Sequence, residues 1–147
     1  MQQDENYDMR NSFGKILGMA HTALLKHLSK NLKDQNIPLT PEQFRVLMHL
    51  WHEEGKSQQE LAMLSCRDRA NVTRIIDILE REGIVSRQDD LNDRRIFKIH
   101  LTALGKALEQ PTTECAKNTL ADALKGIATE EIEICKKVLQ QVAQNLG

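Results

Sequence analysis

A chain of 147 residues is long enough to bury one core and too short for two independent domains of ordinary size. With 40% hydrophobic and 28% charged residues, its totals fit neither a disordered tail nor a membrane protein. The net charge of −1 gives total charge no role in binding a polyanion, so a nucleic-acid function has to rest on where individual charges lie.

The chain opens on a polar, acidic stretch, Met1 to Asp8, and has no apolar run near the roughly 20 residues that cross a bilayer. A cytoplasmic chain with no membrane partner is expected. From Asn11 to about Lys33, Phe13, Ile16, Leu17, Ala20, Leu24, Leu28 and Leu32 recur every three or four positions, which predicts one long amphipathic helix. Asn36, Ile37 and Pro38 break it. Thr40-Pro41-Glu42-Gln43 then writes a helix start with a cap, a proline at the first position and a glutamine three after the cap. Phe44, Leu47, Met48 and Trp51 are its expected buried face, and Gly55 its end.

Ser57-Gln58-Gln59-Glu60 reads as a second capping box opening a short helix through Leu61, Ala62 and Leu64. Ser65, Cys66 and Arg67 form a tight connection. Asp68 caps a longer helix whose inner face is Val72, Ile75, Ile76 and Leu79, and Gly83 stops it. A short helix, a tight turn and a longer helix make a helix-turn-helix. Strands are expected at Ile84 to Gln88 and Arg95 to Leu101 around the polar tip Asp89-Asp90-Leu91-Asn92-Asp93, a β-hairpin placed where a wing would be. Thr102 caps a helix carrying Leu104, Ala107 and Leu108, which Pro111 should kink or break. Thr129-Glu130-Glu131 is a cap followed by acids, and Ile132, Cys135, Leu139, Val142 and Leu146 form an apolar stripe that needs a partner. The expected fold is mainly α with a small β-hairpin wing: a winged helix-turn-helix lobe over 39–101, and a helical dimerisation region over 8–38 and 102–147 that pairs with a second copy.

Seven of the nine arginines, Arg67, Arg69, Arg74, Arg81, Arg87, Arg94 and Arg95, fall in one stretch interleaved with acids. That pattern suits arginines presented at chosen points on a structured element. With the core face of the second motif helix assigned, Arg69, Asn71, Thr73 and Arg74 point outward and are chemically suited to base edges or phosphates in a major groove. The competing reading is a solvated face with an ion pair such as Arg74 with Asp77. At the hairpin, Asp93-Arg94-Arg95 places two arginines where a narrow minor groove would attract them, with Asp93 available to orient one.

Taken together, Ser57-Gln58-Gln59-Glu60-Leu61-Ala62, the helix Asn71-Val72-Thr73-Arg74-Ile75-Ile76-Asp77-Ile78-Leu79-Glu80, Gly83-Ile84-Val85, the tip Asp90-Leu91-Asn92-Asp93-Arg94-Arg95, and Leu101-Thr102-Ala103-Leu104-Gly105 resemble the MarR family of bacterial regulators. The resemblance runs from the first helix to the last. It implies a homodimer held by terminal helices, a pseudo-palindromic double-stranded DNA operator, and usually repression, relieved by a small phenolic or lipophilic effector or by cysteine oxidation. It also implies that Asp93 braces Arg95 for the minor groove. Where the family's tip commonly has proline, this chain has Leu91, which alters the turn and not the hairpin.

His21, His27 and Trp51 are candidate walls of an effector pocket between the dimer helices and the DNA-binding lobe. Three cysteines, Cys66, Cys115 and Cys135, are odd in number and widely spaced, so no disulfide framework is expected. The family's hydroperoxide sensors keep a cysteine near the start of the first helix, and this chain has none there. Cys66, with Arg67 and Arg69 near it in sequence, is the redox candidate against a buried or inert thiol; Cys115 and Cys135 are read as inert. His49 and His52 with Glu53 fall short of a metal site, and no metal or other cofactor is expected. An enzyme built on Cys66 and His100 lacks an oxyanion turn, phosphate loop or paired carboxylates. A protein-interaction module of the same fold that has lost DNA binding is the alternative, against which the retained arginines argue.

Overall fold

The computed structural model describes residues 8–66 and 68–147; the polar start up to residue 7, and Arg67 both as part of the motif's turn and as a neighbour of Cys66, lie outside the described residues. Helix α1 (Phe13–Asp34) follows a short 3-10 turn, with the Ser12 hydroxyl accepting from the Lys15 N–H at its start. It ends on Asn36 in the left-handed region (φ 56°), and the Ile37 N–H returns to the Leu32 carbonyl at 2.9 Å, which seats Ile37 in the core. Helix α2 (Pro41–His52) begins with a full capping box: Thr40 Oγ1 accepts from the Gln43 N–H at 3.2 Å and Gln43 Oε1 accepts from the Thr40 N–H at 3.0 Å. Its buried face is Val46, Leu47 and Leu50, with Phe44 and Trp51 half-buried and Met48 exposed. The expected stripe is thus rotated, because α2 is enclosed by α1 and by later helices on the Val46 side, which period alone does not reveal.

A two-residue strand β1 (Lys56–Ser57), which no periodicity announces, precedes helix α3 (Gln58–Leu64), whose start is capped by Ser57 Oγ on the Glu60 N–H. Helix α4 (Arg69–Arg81) is capped by Asp68 on the Asn71 N–H at 2.7 Å, and Val72, Ile75, Ile76 and Leu79 are all buried. Gly83 (φ 76°) lets the Ile84 N–H reach the Leu79 carbonyl at 2.9 Å and turns the chain into the wing. Strands β2 (Val85–Asp89) and β3 (Phe97–Leu101) pair antiparallel from Val85↔Leu101 to Asp89↔Phe97, and β1 pairs on the other side of β3. The second strand starts two residues later than expected: the Ile96 N–H is turned back onto the Asp93 carbonyl, which keeps Arg95 and Ile96 in the tip.

Helix α5 (Ala103–Ala107), capped by Thr102, stops at Leu108, and helix α6 (Glu109–Ala123) follows. Pro111 falls in the first turn of α6, where its missing N–H would have had no helical partner, so the break comes just before it. Helix α7 (Thr129–Leu146) starts one residue earlier than expected; Thr129 is already helical, and Ala128 ahead of it supplies no side-chain cap. One core runs from Leu28 and Leu32 of α1 through α2, α3, α4 and the wing to Leu108 and Cys115. Helix α7 buries no residue in the single chain. Among the described residues no helix is long and apolar enough to cross a membrane.

His49 of α2 is half-buried, and its Nε2 finds no partner among the described residues. Burial first, then the charges of Lys56, His52 and Arg45, hold its imidazole below the ordinary value, against a hydrogen bond to the Leu64 backbone that works the other way. Folding therefore favours the neutral ring. As pH falls through the unfolded value of about 6.5, the unfolded chain takes up its proton before the folded one does, and stability drops; above that pH the contribution is constant. Urea midpoints measured at about pH 7.5 and about pH 5 should fall on acidification, and fall less in His49→Gln; an equal drop in both proteins would refute the assignment.

Candidate nucleic-acid interface

Helix α4 turns its apolar side fully into the core, which leaves the other side of the same turns to solvent. Arg69 and Arg74 are exposed on it, while Asn71 and Thr73 are half-buried. These side chains are already tethered. Asn71 Oδ1 accepts from Arg74 Nη2 at 2.9 Å, and Glu42 of α2 lies 3.6 Å from the same guanidinium nitrogen. Thr73 donates its hydroxyl proton to the Arg69 carbonyl at 2.8 Å, so toward a ligand it offers a methyl group and lone pairs. The acid that answers Arg74 is Glu42, and Asp77 pairs elsewhere.

Asp77 belongs to a cluster that sequence reasoning did not isolate. Arg87 of β2, only 18% exposed, donates to Asp77 Oδ1 at 2.5 Å and to Glu80 Oε1 at 3.0 Å, and its backbone N–H donates to Glu80 Oε2 at 3.1 Å. With its amide oxygen facing Arg87, Gln58 of α3 accepts from Nε at 3.1 Å and Nη2 at 2.9 Å. One guanidinium thus ties both helices of the motif to the first strand of the wing. Its four guanidinium hydrogen bonds to three side chains mark Arg87 as a brace and set it apart from the exposed arginines around it. The signal in the sequence was the pair Asp77 and Glu80, one helical turn apart on the outer side of α4, with an arginine in the following strand.

At the wing tip, Asp93 Oδ1 accepts from the Arg95 backbone N–H at 3.0 Å and from its Nε at 3.2 Å, and Oδ2 accepts from Nη2 at 3.3 Å. The Arg95 side chain and backbone N–H hold the Asp93 carboxyl below the usual carboxylate range. The Arg95 side chain is nevertheless 89% exposed. It is aimed by the protein and left open to solvent. Arg94 beside it is exposed as well.

The remaining candidates are dispersed. A cavity of about 710 Å³ lies between α1 and α6, lined by apolar residues with His21, His27 and Asp122 as its ionisable groups, and by Leu139 of α7. His27 Nε2 is 3.2 Å from Asp122 Oδ2. Trp51 is not in this cavity: its Nε1 donates to the Gly105 carbonyl at 2.9 Å, and its ring meets Phe44. The indole joins α2 to α5 inside the lobe, because a half-buried indole takes the nearest free carbonyl. Cys66 is exposed, with its backbone in the left-handed region (φ 56°), so the buried reading of this thiol is corrected. Cys115 is buried, and burial pushes its thiol up. Cys135 is exposed in the single chain, whereas Ile132, Leu139 and Val142 of the same stripe are half-buried there. His49, His52 and Glu53 do not join into a group of three or more potential metal ligands among the described residues.

A capped helix-turn-helix, a braced wing and basic groups exposed on both define the class of a winged helix-turn-helix protein. Residues 39–97 match the model of the MarR family. The winged lobe thus matches that family's pattern, and the likeness of the chain to its regulators, expected from the motifs, is borne out. The chain is similar to the uncharacterized HTH-type transcriptional regulator YybA of Bacillus subtilis (strain 168), 27% identical over 116 residues, spanning 79% of this chain and 77% of that one. Among solved structures it is similar in fold to BpsR of Bordetella bronchiseptica, whose DNA binding is regulated by 6-hydroxynicotinic acid, with TM-score 0.87 and 22% identity over 94% of this chain and 97% of the other. It is likewise similar in fold to a cysteine-to-serine mutant of MarR from E. coli complexed with operator DNA, with TM-score 0.84 and 23% identity over 92% and 99% of the two chains. The fold is the one these solved structures share.

Proposed function

We propose that this chain is a homodimeric, sequence-specific DNA-binding regulator that acts as a repressor and is released by a small lipophilic or phenolic effector. The observation that carries the reading is the braced, solvent-exposed Arg95 on a wing joined through Arg87 to a helix presenting Arg69, Asn71, Thr73 and Arg74. In this reading α4 enters the major groove and Arg95 the adjacent minor groove. Arg94 contacts the backbone nearby. A dimer accounts for α7, an 18-residue helix without a buried residue of its own, and for the exposed apolar side chains Ile134 and Val138 on it. Two recognition helices then have to lie about 34–36 Å apart to meet successive major grooves of a pseudo-palindromic operator. An effector seated between α1 and α6, against His21 and His27, would shift that spacing. Support for this part comes from the apolar cavity and from the regulation of BpsR by a small aromatic acid.

The test is binding of the purified protein to a fluorescent duplex carrying the promoter upstream of its own gene, at two salt concentrations, with scrambled duplex as competitor. Specific binding that falls steeply with salt is expected. Arg95→Ala should weaken it about tenfold or more, and Asp93→Ala should lose part of that and add nothing in the double variant, because both changes remove one braced guanidinium. Unaltered affinity in Arg95→Ala, or purely additive losses, would overturn the wing assignment.

A further inference from the structure

The wing tip carries a side chain that the reading above does not use. Among the described residues Leu91 is the most exposed large apolar side chain, at 101%. It is not a loose end. The tip is closed by the Asp90 N–H on the Ile96 carbonyl and the Ile96 N–H on the Asp93 carbonyl, both at 3.1 Å. Asp90 Oδ1 also accepts from the Asn92 N–H at 2.8 Å, a turn that spans Leu91 itself, and Lys98 lies 3.9 Å from the same carboxylate. The backbone on both sides of Leu91 is therefore fixed, and the side chain is held out with nothing to cover it. Four residues further along the same closed tip stands Arg95, oriented by Asp93.

A leucine in this position adds nothing to the core and leaves apolar surface open to an occupant from outside. The cations next to it select that occupant: Arg94 and Arg95 face solvent on the same tip, which suits a polyanion with an apolar interior. A DNA minor groove offers both, phosphates and sugars at its walls and stacked bases at its floor. Leucine is among the side chains that part base steps from that side.

We propose that Leu91 is an apolar wedge that enters the minor groove beside Arg95 and partly unstacks a base step there, making a flexible step at that position a determinant of operator choice. The proposal rests on the DNA-binding reading. Its physical basis is that unstacking is easier at pyrimidine–purine steps such as TA and CA than in stiff A-tracts, so a wedge reads deformability without hydrogen bonds to bases.

The experiment crosses two proteins with two duplexes. The wing contact is first located on the operator by hydroxyl-radical footprinting of the wild-type protein; duplexes are then made with a TA step or an A-tract at that place and dyes at their ends. Wild type should bind the TA duplex about tenfold more tightly than the A-tract duplex and shorten its end-to-end distance. Leu91→Ala should bind both alike and bend neither, while Leu91→Met keeps the wild-type pattern. Thermal melts of the variants should match wild type, since the side chain is fully exposed among the described residues. Equal losses on both duplexes, or no change in preference and bend, would overturn the wedge. If the wild-type protein does not prefer operator to scrambled duplex at all, the DNA-binding reading falls, and the wedge with it.

Discussion

Gly105→Ala should cost about 3 kcal/mol or more of folding stability, although alanine is the better helix former by about 1 kcal/mol. A Cβ at this position would stand 2.2 Å from the Ile84 carbonyl oxygen and 3.2 Å from Leu101 Cδ2. The first contact is with backbone, which cannot swing aside as the end of a side chain would. That carbonyl is also held, accepting from the Thr102 N–H at 3.1 Å and from Thr102 Oγ1 at 3.0 Å. Gly105 itself donates to Thr102 Oγ1 and receives the Trp51 indole. Moving it disturbs the junction of α2, α5 and the wing together. The steric term decides the sign, because the propensity gain is small beside a backbone displacement of most of an ångström. Trp51 is the chain's one tryptophan and sits on this junction, so urea denaturation followed by its fluorescence reads the effect where it arises. Lys106→Ala, one residue on and exposed, should change the midpoint little. A Gly105→Ala protein that melts with wild type would show that the lobe tolerates a side chain between α5 and Ile84.

Charging the uncovered side of α7 should have the largest effect on operator binding. Ile134 is 60% exposed and Val138 46% exposed in the single chain, and they lie one helical turn apart. If both faced water in solution, Ile134→Glu with Val138→Glu would be nearly silent. In the proposed dimer the same change buries two carboxylates against apolar surface, at a penalty of several kcal/mol, and separates the subunits. Light scattering should then show the mass fall from twice 16.8 kDa to 16.8 kDa. Affinity for a two-site operator should fall at least about a hundredfold, because the second half-site no longer binds as an intramolecular event. The far-ultraviolet spectrum of the winged lobe should persist, since its core does not depend on α7. A wild-type protein that is monomeric, or a doubly charged one that stays dimeric, would move the dimer contact elsewhere.

Both variants touch features of different legibility. The caps at Thr40, Ser57 and Asp68 and the stop at Gly83 were readable because each is settled within four residues of backbone. The inner face of α4 was readable because four branched apolar residues at helical spacing leave one way to bury them. The separation of Asp93 and Arg95 put their contact within reach of a turn. By contrast, the face of α2 was misplaced by part of a turn, and Trp51 went to the wrong neighbours. Each depends on which helices close around α2. Strand β1 was invisible, since two residues have no period and exist as a strand only because β3 offers an edge. The role of Arg87 was hidden for the same reason: nothing in its neighbourhood in the chain says that β2 will run alongside Asp77 and Glu80 of α4.

The sequence by itself determined the order and kind of the long helices and of the two wing strands, the turn chemistry between them, and the stretch in which the arginines cluster. These follow from local backbone preference and from hydrophobic period, both written within one element. Only the tertiary structure decided which arginine is spent on bracing and which are left to solvent, where the indole of Trp51 finds its acceptor, why position 105 excludes a side chain, and that α7 buries no residue fully within the single chain. Those outcomes are distances between residues far apart in sequence, set when the elements pack, and no local rule contains them.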